Sequence, residues 1–304
     1  MKIIIAGGSG FLGASLARRL ADRGDVPVIL TRTGDGIRDG IEYVQWDGKT
    51  VARWAKELEG AGAVVNMTGK SVNCIYNERN RAEILRSRID SVRAIRNAIK
   101  ECIHPPAVLI QAASLAIYGD TRAVSDESAP HGKGFSVDVC EKWEETFFDQ
   151  KLPETRMVCF RIGFALGDSG GALGSLTKLA RCYLGGTVGN GDQFISWLHI
   201  KDLNAMFLRA ITDDSTAGIY NATGPNPVTN REFMRDLRRS IGRPWALPTP
   251  SPLVKIGARL FLKTDSSLAL TGRNCVPRRF LDAGFEFRYP ELPKALDSIL
   301  RSSR

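Results

Sequence analysis

The sequence predicts an α/β fold: a Rossmann-type, doubly wound parallel sheet with a smaller C-terminal substrate lobe. Short apolar runs rich in β-branched residues alternate with longer amphipathic stretches, which is the pattern of repeated strand–helix units. The first run, residues 3–5, leads directly into Gly7, Gly10 and Gly13 and then into a helical apolar stripe. A strand, a glycine-rich turn and a helix in this order are what a dinucleotide-binding motif requires.

The composition narrows the class of protein. The chain has 304 residues, a formal net charge of +9 and six cysteines, a length that suits one large α/β domain or two unequal lobes. The cysteines and the three histidines show no metal-ligand spacing, so we expect reduced thiols, no metal site and a cytoplasmic location. No apolar run approaches the length of a membrane span. The basic charge comes without a nucleic-acid recognition motif, so solvated basic helix faces are favoured over a nucleic-acid surface, and the phosphates of a cofactor or substrate explain part of the excess.

Each glycine of the first turn has an expected task. Gly7 permits a tight turn, Gly10 leaves room for a pyrophosphate beside the backbone, and Gly13 lets the helix approach the strand closely. The free N–H groups and the positive dipole end of the helix N-terminus then bind the phosphates. The cofactor-binding residues predicted in this stretch are Gly7, Ser9, Gly10, Phe11, Leu12 and Gly13.

The second predicted strand, residues 26–32, decides between NAD and NADP. An acidic residue at its end would bind the ribose hydroxyls of NAD, whereas an arginine accommodates the 2′-phosphate of NADP. This strand ends in Thr31 and Arg32, so we predict NADP(H), held by a Thr31 hydrogen bond and the Arg32 guanidinium. Asp35 keeps NAD(H) as the less favoured alternative, and a solvated loop position is the alternative for Arg32.

The next two predicted strands, residues 41–46 and 63–66, also end at candidate residues. Asp47 follows the first of them, where its carboxylate either binds the adenine amino group or caps the next helix. The second strand ends in a loop whose residues would line the ribose and phosphates of the cofactor. These loop residues are Met67, Thr68 and Gly69.

A long amphipathic helix is predicted over residues 78–101. Glu83 and Arg88 lie near its start, close to the expected crevice. Arg88 is therefore a candidate for a cofactor phosphate and Glu83 for a ribose hydroxyl, with exposure to solvent as the alternative for both.

Two further apolar strands, residues 107–114 and 157–163, complete the predicted sheet. Ser114 ends the first of them, and Tyr118 follows in the next loop. Ligands bind outside the carboxyl ends of the strands in such sheets. The cofactor-binding residues predicted there are Ala113, Gly163 and Phe164.

Beyond residue 164 the sequence changes to glycine-rich and proline-containing loops. We predict a dinucleotide-binding domain over residues 1–164, to which residues 195–222 return. Residues 165–194 and 223–304 are predicted to form the smaller substrate-binding lobe.

Arginines gather near Pro277 in this smaller lobe. Arg273 and Arg278 are the candidate substrate-binding residues, because arginine side chains hold anionic groups such as a diphosphate. Ordinary surface positions are the alternative for both.

Motifs along most of the chain together resemble a known family. They are residues 7–13, 66–69, Ser114 with 117–119, 161–163, 197–203 and 220–224. This set resembles the extended short-chain dehydrogenase/reductases, the NAD-dependent epimerase/dehydratase family. Further segments are most similar to its atypical members, the epimerase-family, sugar-nucleotide epimerase-like proteins with a distinct C-terminal segment. These segments are residues 31–32, 87–90, 139–144, 170–173, 276–281, 283–285 and 289–290.

The resemblance implies an NADP(H) cofactor and a catalytic serine or threonine, tyrosine and lysine. In that scheme the tyrosine moves a proton at a substrate hydroxyl or carbonyl, and the lysine four residues later lowers its pKa. Ser114 matches the family serine. The Tyr-x-x-x-Lys motif is missing from residues 136–142, which leaves Tyr118 as the candidate proton donor and places Cys140 where the lysine is expected.

Two functions follow from this departure. The chain is either an NADP-dependent oxidoreductase or nucleotide-sugar epimerase-like enzyme with catalytic Ser114 and Tyr118, or an NADP(H)-binding regulatory module with little or no turnover. The expected partner is a small-molecule substrate, with a nucleotide sugar as the class that the resemblance implies. The apolar helical segments 84–99 and 139–148 either pair across the two-fold axis of a homodimer or cover the sheet.

Overall fold

The computed structural model describes residues 1–168, 170–247, 265 and 267–301, and over these residues the predicted α/β fold is confirmed. The strands, in chain order, are β1 (Lys2–Ala6), β2 (Val26–Thr31), β3 (Gly36–Arg38), β4 (Ile41–Gln45), β5 (Ala63–Asn66), β6 (Val108–Ser114), β7 (Thr121–Ser125), β8 (Arg156–Ile162), β9 (Phe164–Leu166), β10 (Phe194–Ile195), β11 (Trp197–His199), β12 (Gly218–Ala222), β13 (Val228–Thr229) and β14 (Arg273–Cys275). The helices, in chain order, are α1 (Phe11–Ala21), α2 (Glu78–Lys100), α3 (Phe135–Phe148), α4 (Leu173–Arg181), α5 (Ile200–Thr212), α6 (Asn230–Ser240), α7 (Ser267–Leu270), α8 (Arg278–Asp282) and α9 (Leu292–Leu300), with 3-10 helices at Arg53–Leu58 and Leu115–Tyr118.

The central sheet has the strand order β12-β8-β6-β5-β1-β2-β4-β3. All neighbouring strands are parallel except β3 with β4. The chain builds outward from β1 in one direction through β2 and β4, and in the other through β5, β6, β8 and β12. The crevice between β1 and β5 is therefore the point where the strand order reverses, which is where ligands bind in open sheets of this kind.

Two strands of the sheet were not predicted from the sequence as members of it. The antiparallel edge strand β3 has three exposed residues, so it lacks the apolar alternation by which strands are recognised. The seventh parallel strand, β12, pairs with β8 although it begins with a glycine and contains the polar Asn221. A polar residue is tolerated there because its side chain is hydrogen-bonded.

Helices cover both faces of the sheet, as the doubly wound prediction requires. On one face, Ile3 and Ile5 pack against α1 and α5. On the other, Ile4 packs against α2 and α3. Successive strand residues point to opposite faces, so the unbroken isoleucine run of β1 reflects burial on both sides. A separate apolar cluster centres on the fully buried Trp197 and joins α4, α6 and α9.

The C-terminal residues are held against the sheet by backbone pairing and buried polar contacts. β14 pairs in parallel with β7, and Asn221 Nδ2 donates to Val276 O at 3.0 Å. The Asp202 carboxylate accepts the N–H groups of Arg288 and Tyr289 at 2.8 and 3.0 Å. We call these contacts of residues 273–289 with β7, β12 and α5 the C-terminal seam.

Within the described part of the chain, no helix combines the length and apolar character needed to cross a bilayer. The same residues contain no group of three His, Cys, Asp or Glu side chains that could hold a metal ion.

Candidate active site

The three glycines of the first turn occupy three different environments. Gly7 has φ +72°, and a Cβ built on it would lie 3.0 Å from the backbone of Met67. A Cβ on Gly13 would lie 2.4 Å from Gly8 Cα, which is closer than atoms can approach. A Cβ on Gly10 would meet only Gly7 O, at 3.8 Å. The fold itself therefore requires glycine at 7 and 13, whereas a side chain at position 10 would meet no close neighbour in the described chain.

The N-terminus of α1 lies directly beside this open space. Ser9 and Gly10 are exposed, and within the described residues no side chain caps the helix and no acidic residue lies in its first turn. Uncapped N–H groups and the helix dipole together attract an anion. The ring of Phe11 packs tightly against the loop that contains Gly167, because a Cβ on Gly167 would lie 2.7 Å from the Cζ atom of Phe11.

The end of β2 joins the turn through a hydroxyl contact. Thr31 Oγ1 donates to Ser9 Oγ at 3.4 Å, and Thr31 is buried while Arg32 is exposed. No described residue forms a hydrogen bond or ion pair with the Arg32 guanidinium. Asp35, by contrast, accepts Gln45 N at 2.7 Å and pairs with Arg53. The hydrogen bond from Gln45 is the main reason why the pKa of Asp35 is lowered.

Asp47 caps a turn in the structure. Its carboxylate accepts the Lys49 and Thr50 N–H groups at 2.9 and 2.8 Å and the Thr50 hydroxyl at 2.8 Å. Burial raises the pKa of Asp47, but these hydrogen bonds outweigh burial and the pKa is lowered. Asp47 does not cap the next helix, which begins at Arg53 with Ala52 as its N-cap and no side-chain cap among the described residues, so that interpretation is wrong, and contact with adenine stays a prediction.

The loop after β5 runs along the other side of the crevice. The buried Asn66 accepts Thr68 N at 3.0 Å through Oδ1 and donates to Gln111 Oε1 at 2.9 Å. Thr68 Oγ1 is buried and has no hydrogen-bond partner among the described residues. Met67 N donates to Ala6 O at 2.8 Å, which ties the loop to β1 beside the glycine turn.

Both charged candidates on α2 are engaged with the chain. Glu83 binds Lys70 Nζ and accepts Arg79 Nε at 2.9 Å, and these contacts, led by the Lys70 hydrogen bond, lower its pKa to about 2. Arg88 Nη1 donates to Lys70 O at 3.1 Å and to Ile84 O at 2.9 Å, and Arg88 Cζ lies 4.8 Å from the centre of the Trp143 ring. Arg88 is thus partly buried rather than solvated, and its cofactor contact stays a prediction.

The candidates at the ends of β6 and β8 lie side by side, because Ser114 is in register with Ile162. The half-buried Ser114 accepts Ala116 N at 3.2 Å through Oγ and so caps the 3-10 helix that follows. Ala113 precedes it in β6. Gly163 follows β8 directly, where a Cβ on it would lie 2.5 Å from Ser196 O, and Phe164 begins β9.

Tyr118 lies in a buried polar network. Its hydroxyl donates to Asn221 Oδ1 at 2.8 Å and accepts Arg161 Nη1 at 2.7 Å. Arg161 forms a bidentate pair with Glu144 at 2.9 and 2.8 Å. Burial raises the pKa of Tyr118 to about 12. The phenol proton is therefore committed to Asn221, and the assignment of Tyr118 as proton donor stays a prediction that this geometry does not favour.

Residues 136 and 140, where the missing Tyr-x-x-x-Lys is expected, lie on α3. Burial raises the pKa of the Cys140 thiol to about 12, so Cys140 is a neutral packing residue at physiological pH. Tyr76, which carries no signal in the sequence, reaches this helix from outside: the centre of its ring lies 5.2 Å from the centre of the Phe135 ring. No local pattern marks Tyr76, because only tertiary packing brings it to α3.

The two arginines of the C-terminal segment have different environments. Arg278 is exposed and pairs with Asp282 on its own helix at 3.0 Å. Arg273 is partly buried, and its Nε is buried without a hydrogen-bond partner among the described residues. Burial lowers the pKa of Arg273, so its charge is poorly solvated.

Comparison with known proteins gives two family matches. The model of the NAD dependent epimerase/dehydratase family matches residues 3–223. A model described as a domain of unknown function (DUF1731) matches residues 249–299.

Individual relatives match along the whole chain. Epimerase family protein SDR39U1 of Bos taurus is 32% identical over 308 residues, covering 99% of this chain and 100% of that protein. The crystal structure of human epimerase family protein SDR39U1 (isoform2) with NADPH has a TM-score of 0.87 at 31% identity and covers 99% of both chains. The structure of the nucleoside-diphosphate sugar epimerase from Corynebacterium glutamicum has a TM-score of 0.79 at 26% identity, covering 99% of this chain and 58% of that one.

Proposed function

This chain belongs to the NAD dependent epimerase/dehydratase family, and on that premise we propose that it binds NADP(H) and oxidises a hydroxyl group or reduces a carbonyl group of a small molecule. The glycine turn carries the proposal. Gly13 is forced by the close approach of α1 to Gly8, whereas the space at Gly10 is open and faces an uncapped helix N-terminus. A pyrophosphate fits this arrangement, because it needs backbone N–H donors and no intervening side chain.

The choice of NADP over NAD rests on the end of β2. Arg32 is exposed and unengaged within the described chain, while Asp35, the carboxylate that could have held ribose hydroxyls, is bound to Gln45 and Arg53. A free guanidinium there suits a 2′-phosphate. The relative solved with NADPH supports the same choice.

The chain's own residues would position the substrate oxygen. The bound nicotinamide supplies the hydride for reduction or accepts it in oxidation. Ser114 Oγ already accepts Ala116 N–H, so its own proton is available to the substrate oxygen at the carboxyl end of β6. Tyr118 serves as proton donor only if its hydroxyl leaves Asn221. The loss of turnover in Tyr118→Phe, with NADPH affinity unchanged, is the outcome that this role requires.

A second candidate function is NADPH binding without turnover. The observation that favours it is α3, where Ser136 and Cys140 occupy the two positions expected for the tyrosine and lysine, and the Cys140 pKa is raised to about 12. In this case the chain acts as a cofactor-binding regulatory module.

We also propose a substrate class, a homodimer and a cellular location. A nucleotide sugar is the substrate class suggested by the Corynebacterium relative. A homodimer is a further proposal, and its formation is measured by light scattering of the purified chain. The apolar side chains of α2 and α3 pack against the sheet, which is the second of the two alternatives for these helices. The proposed location is the cytoplasm, although one relative from Arabidopsis thaliana is described as chloroplastic.

Calorimetric titration with NADPH and NADH tests the proposal. Wild type should bind NADPH more tightly than NADH, and Gly10→Val should lose binding of both, because the valine side chain fills the pyrophosphate space. Gly174→Val is the matched control, since a Cβ there meets nothing within 4 Å. Undiminished NADPH affinity in Gly10→Val would remove the central claim.

Cofactor oxidation across nucleotide sugars and small carbonyl compounds then separates the two candidates. Oxidation of bound NADPH by one compound class supports the enzyme. Tight NADPH binding without oxidation by any compound supports the regulatory module.

A further inference from the structure

One face of α3 meets polar side chains that come from two other parts of the chain. Ser136, Cys140 and Trp143 are spaced by four and three residues, so they lie on the same side of the helix. At one end of the helix, the Tyr76 ring packs against the ring of Phe135, which precedes Ser136, with ring centres 5.2 Å apart. Arg88 stacks over the Trp143 ring at the other end, with Cζ 4.8 Å from the ring centre.

Arg273 approaches the same face from the C-terminal seam. Arg273 lies two residues before Cys275 in β14, and the register of β14 against β7 shifts between Arg273 and Asn274. Cys275 is fully buried in one apolar cluster with Cys140 and Tyr118. The charge of Arg273 accordingly acts on both Cys140 and Tyr76, as does the charge of Arg88.

The polar groups around this face are almost all donors. Arg273 Nε and Trp143 Nε1 are buried and lack hydrogen-bond partners among the described residues. Arg88 Nη1 is bound to main-chain carbonyls and not to a carboxylate.

The carboxylates nearest to Arg273 and Tyr76 already accept other hydrogen bonds. Asp120, which acts on Arg273, accepts Gly272 N at 2.7 Å. Asp265, which acts on Tyr76, accepts Ser267 N and Oγ at 3.0 and 2.6 Å. Two partly buried positive charges are left without a bonded anion in the described chain.

Such an arrangement is costly unless a ligand completes it, because buried charges are normally paired and buried donors normally bonded. We propose that Arg88, Arg273 and Tyr76 form a binding site for an oxyanion, a carboxylate or phosphate group of the substrate. This inference rests on the proposed function in taking the ligand to be the substrate. The position of the missing catalytic pair thus holds substrate charge in place of acid/base groups.

The chemistry of the three side chains suits that ligand. Guanidinium groups donate paired, coplanar hydrogen bonds to carboxylate and phosphate oxygens. Burial raises the pKa of Tyr76, so its phenol stays protonated and donates a further hydrogen bond. Cys140, whose pKa is raised to about 12, stays neutral and does not repel an anion.

The test measures binding of two simple anions, malonate and inorganic phosphate, to the full chain by calorimetry at constant ionic strength set with chloride. The variants are Arg273→Gln and Arg88→Gln. Their matched controls are the exposed Arg93→Gln, on the same helix as Arg88, and Arg122→Gln, on the strand that pairs with β14. NADPH affinity is measured in parallel for every variant.

We expect at least one anion to bind wild type and both controls, and to lose about tenfold or more of its affinity in Arg273→Gln and Arg88→Gln. Binding of malonate alone identifies a carboxylate ligand, and binding of phosphate alone identifies a phosphate ligand. Equal affinity in all variants, or no binding of either anion, overturns the proposal. Failure of wild type to bind NADPH would instead refute the proposed function and leave the anion result readable.

Thermal unfolding without added anion provides a readout that needs no ligand. If Arg273 is held ready for a ligand, Arg273→Met removes a poorly solvated charge and should raise Tm by a few degrees. A fall in Tm of similar size would show that Arg273 stabilises the fold, and would overturn its assignment to the oxyanion site.

Discussion

The glycine cradle of residues 7–13 and the C-terminal seam are held together by different physical means. In the cradle, neighbours in sequence meet through backbone contacts, such as the 2.4 Å that a Cβ on Gly13 would leave to Gly8 Cα. In the seam, residues distant in sequence meet through buried polar groups. Asn221 bonds both Val276 O and Tyr118, and Tyr118 leads on to Arg161 and Glu144. Added side-chain atoms should therefore destabilise the cradle, and the loss of a charged partner should destabilise the seam.

The largest loss of stability is expected when Arg161, which Tyr118 links to the C-terminal seam, loses its carboxylate partner Glu144. Glu144→Gln leaves the Arg161 guanidinium buried without an anion, and breaking a buried pair in this way costs about 3–5 kcal/mol of unfolding free energy. Urea unfolding measures the loss. The exposed neighbour Glu145→Gln is the control and should change stability little. A loss in Glu144→Gln no larger than in the control would erase the contrast between the two regions.

The next largest expected effect is a dependence of stability on pH. It should come from His199, whose ring stacks on that of Tyr289 in the seam with the ring centres 4.0 Å apart. Burial, with help from the charges of Lys201 and Arg288, lowers the pKa of His199 to about 4. The neutral form is favoured in the fold, so its stabilisation is present above the unfolded pKa of about 6.5 and is lost as pH falls towards 4. A shift of this size corresponds to about 3 kcal/mol.

The measurement is the unfolding free energy at about pH 7 and about pH 4.5. His199→Asn keeps a side chain that can cap α5 and removes the titration, so its stability should fall less on acidification than that of wild type. Identical pH profiles for the two proteins would show that His199 does not couple the seam to pH.

A smaller loss is expected from adding one methyl group to the cradle. Gly13→Ala forces α1 away from Gly8, and overpacking of this kind costs about 1–3 kcal/mol. NADPH affinity should fall as well, because the helix N-terminus moves with it. Gly174→Ala, at an open position on α4, is the comparison that should be neutral or stabilising. An unchanged unfolding free energy in Gly13→Ala would mean that the contact relaxes without cost.

The smallest expected effect is on the preference of the cradle region for NADPH over NADH and not on its stability. Arg32→Asp should lower NADPH affinity about tenfold or more, or about 1.4 kcal/mol, while NADH affinity changes little. Arg19→Asp, at an exposed position on α1, controls for the change in net charge. Equal losses for both dinucleotides would remove the 2′-phosphate role of Arg32.

The cradle and the seam also differ in how much of their structure the sequence predicts. The environments of Gly10 and Gly13 follow from the local order of strand, turn and helix, which a sequence displays directly, whereas the restraint on Gly7 comes from the distant Met67. The parallel strands were predicted for the same reason, since burial on both faces leaves unbroken apolar runs. β3 was missed because three exposed residues carry no such signal.

The α3 side of the site depends on distant partners and could not be predicted in the same way. Arg88 was expected to meet either a phosphate or solvent, yet it binds the carbonyls of Lys70 and Ile84. Tyr76 gave no signal, because its neighbours Phe135 and Ser136 are brought to it only by folding. Which side chains meet there follows from the strand order and loop paths, and not from any local pattern.

The parallel pairing of β14 with β7 also sets an order in time. Ribosomes deliver the chain from its N-terminus, so the glycine turn and its supporting strands emerge long before Arg273 exists. Arg273 takes its place in β14 only when synthesis is nearly complete, because residues 121–125 must wait for residues 273–275. A nascent or prematurely terminated chain would therefore carry the glycine turn but lack Arg273, one of the three side chains of the proposed oxyanion site.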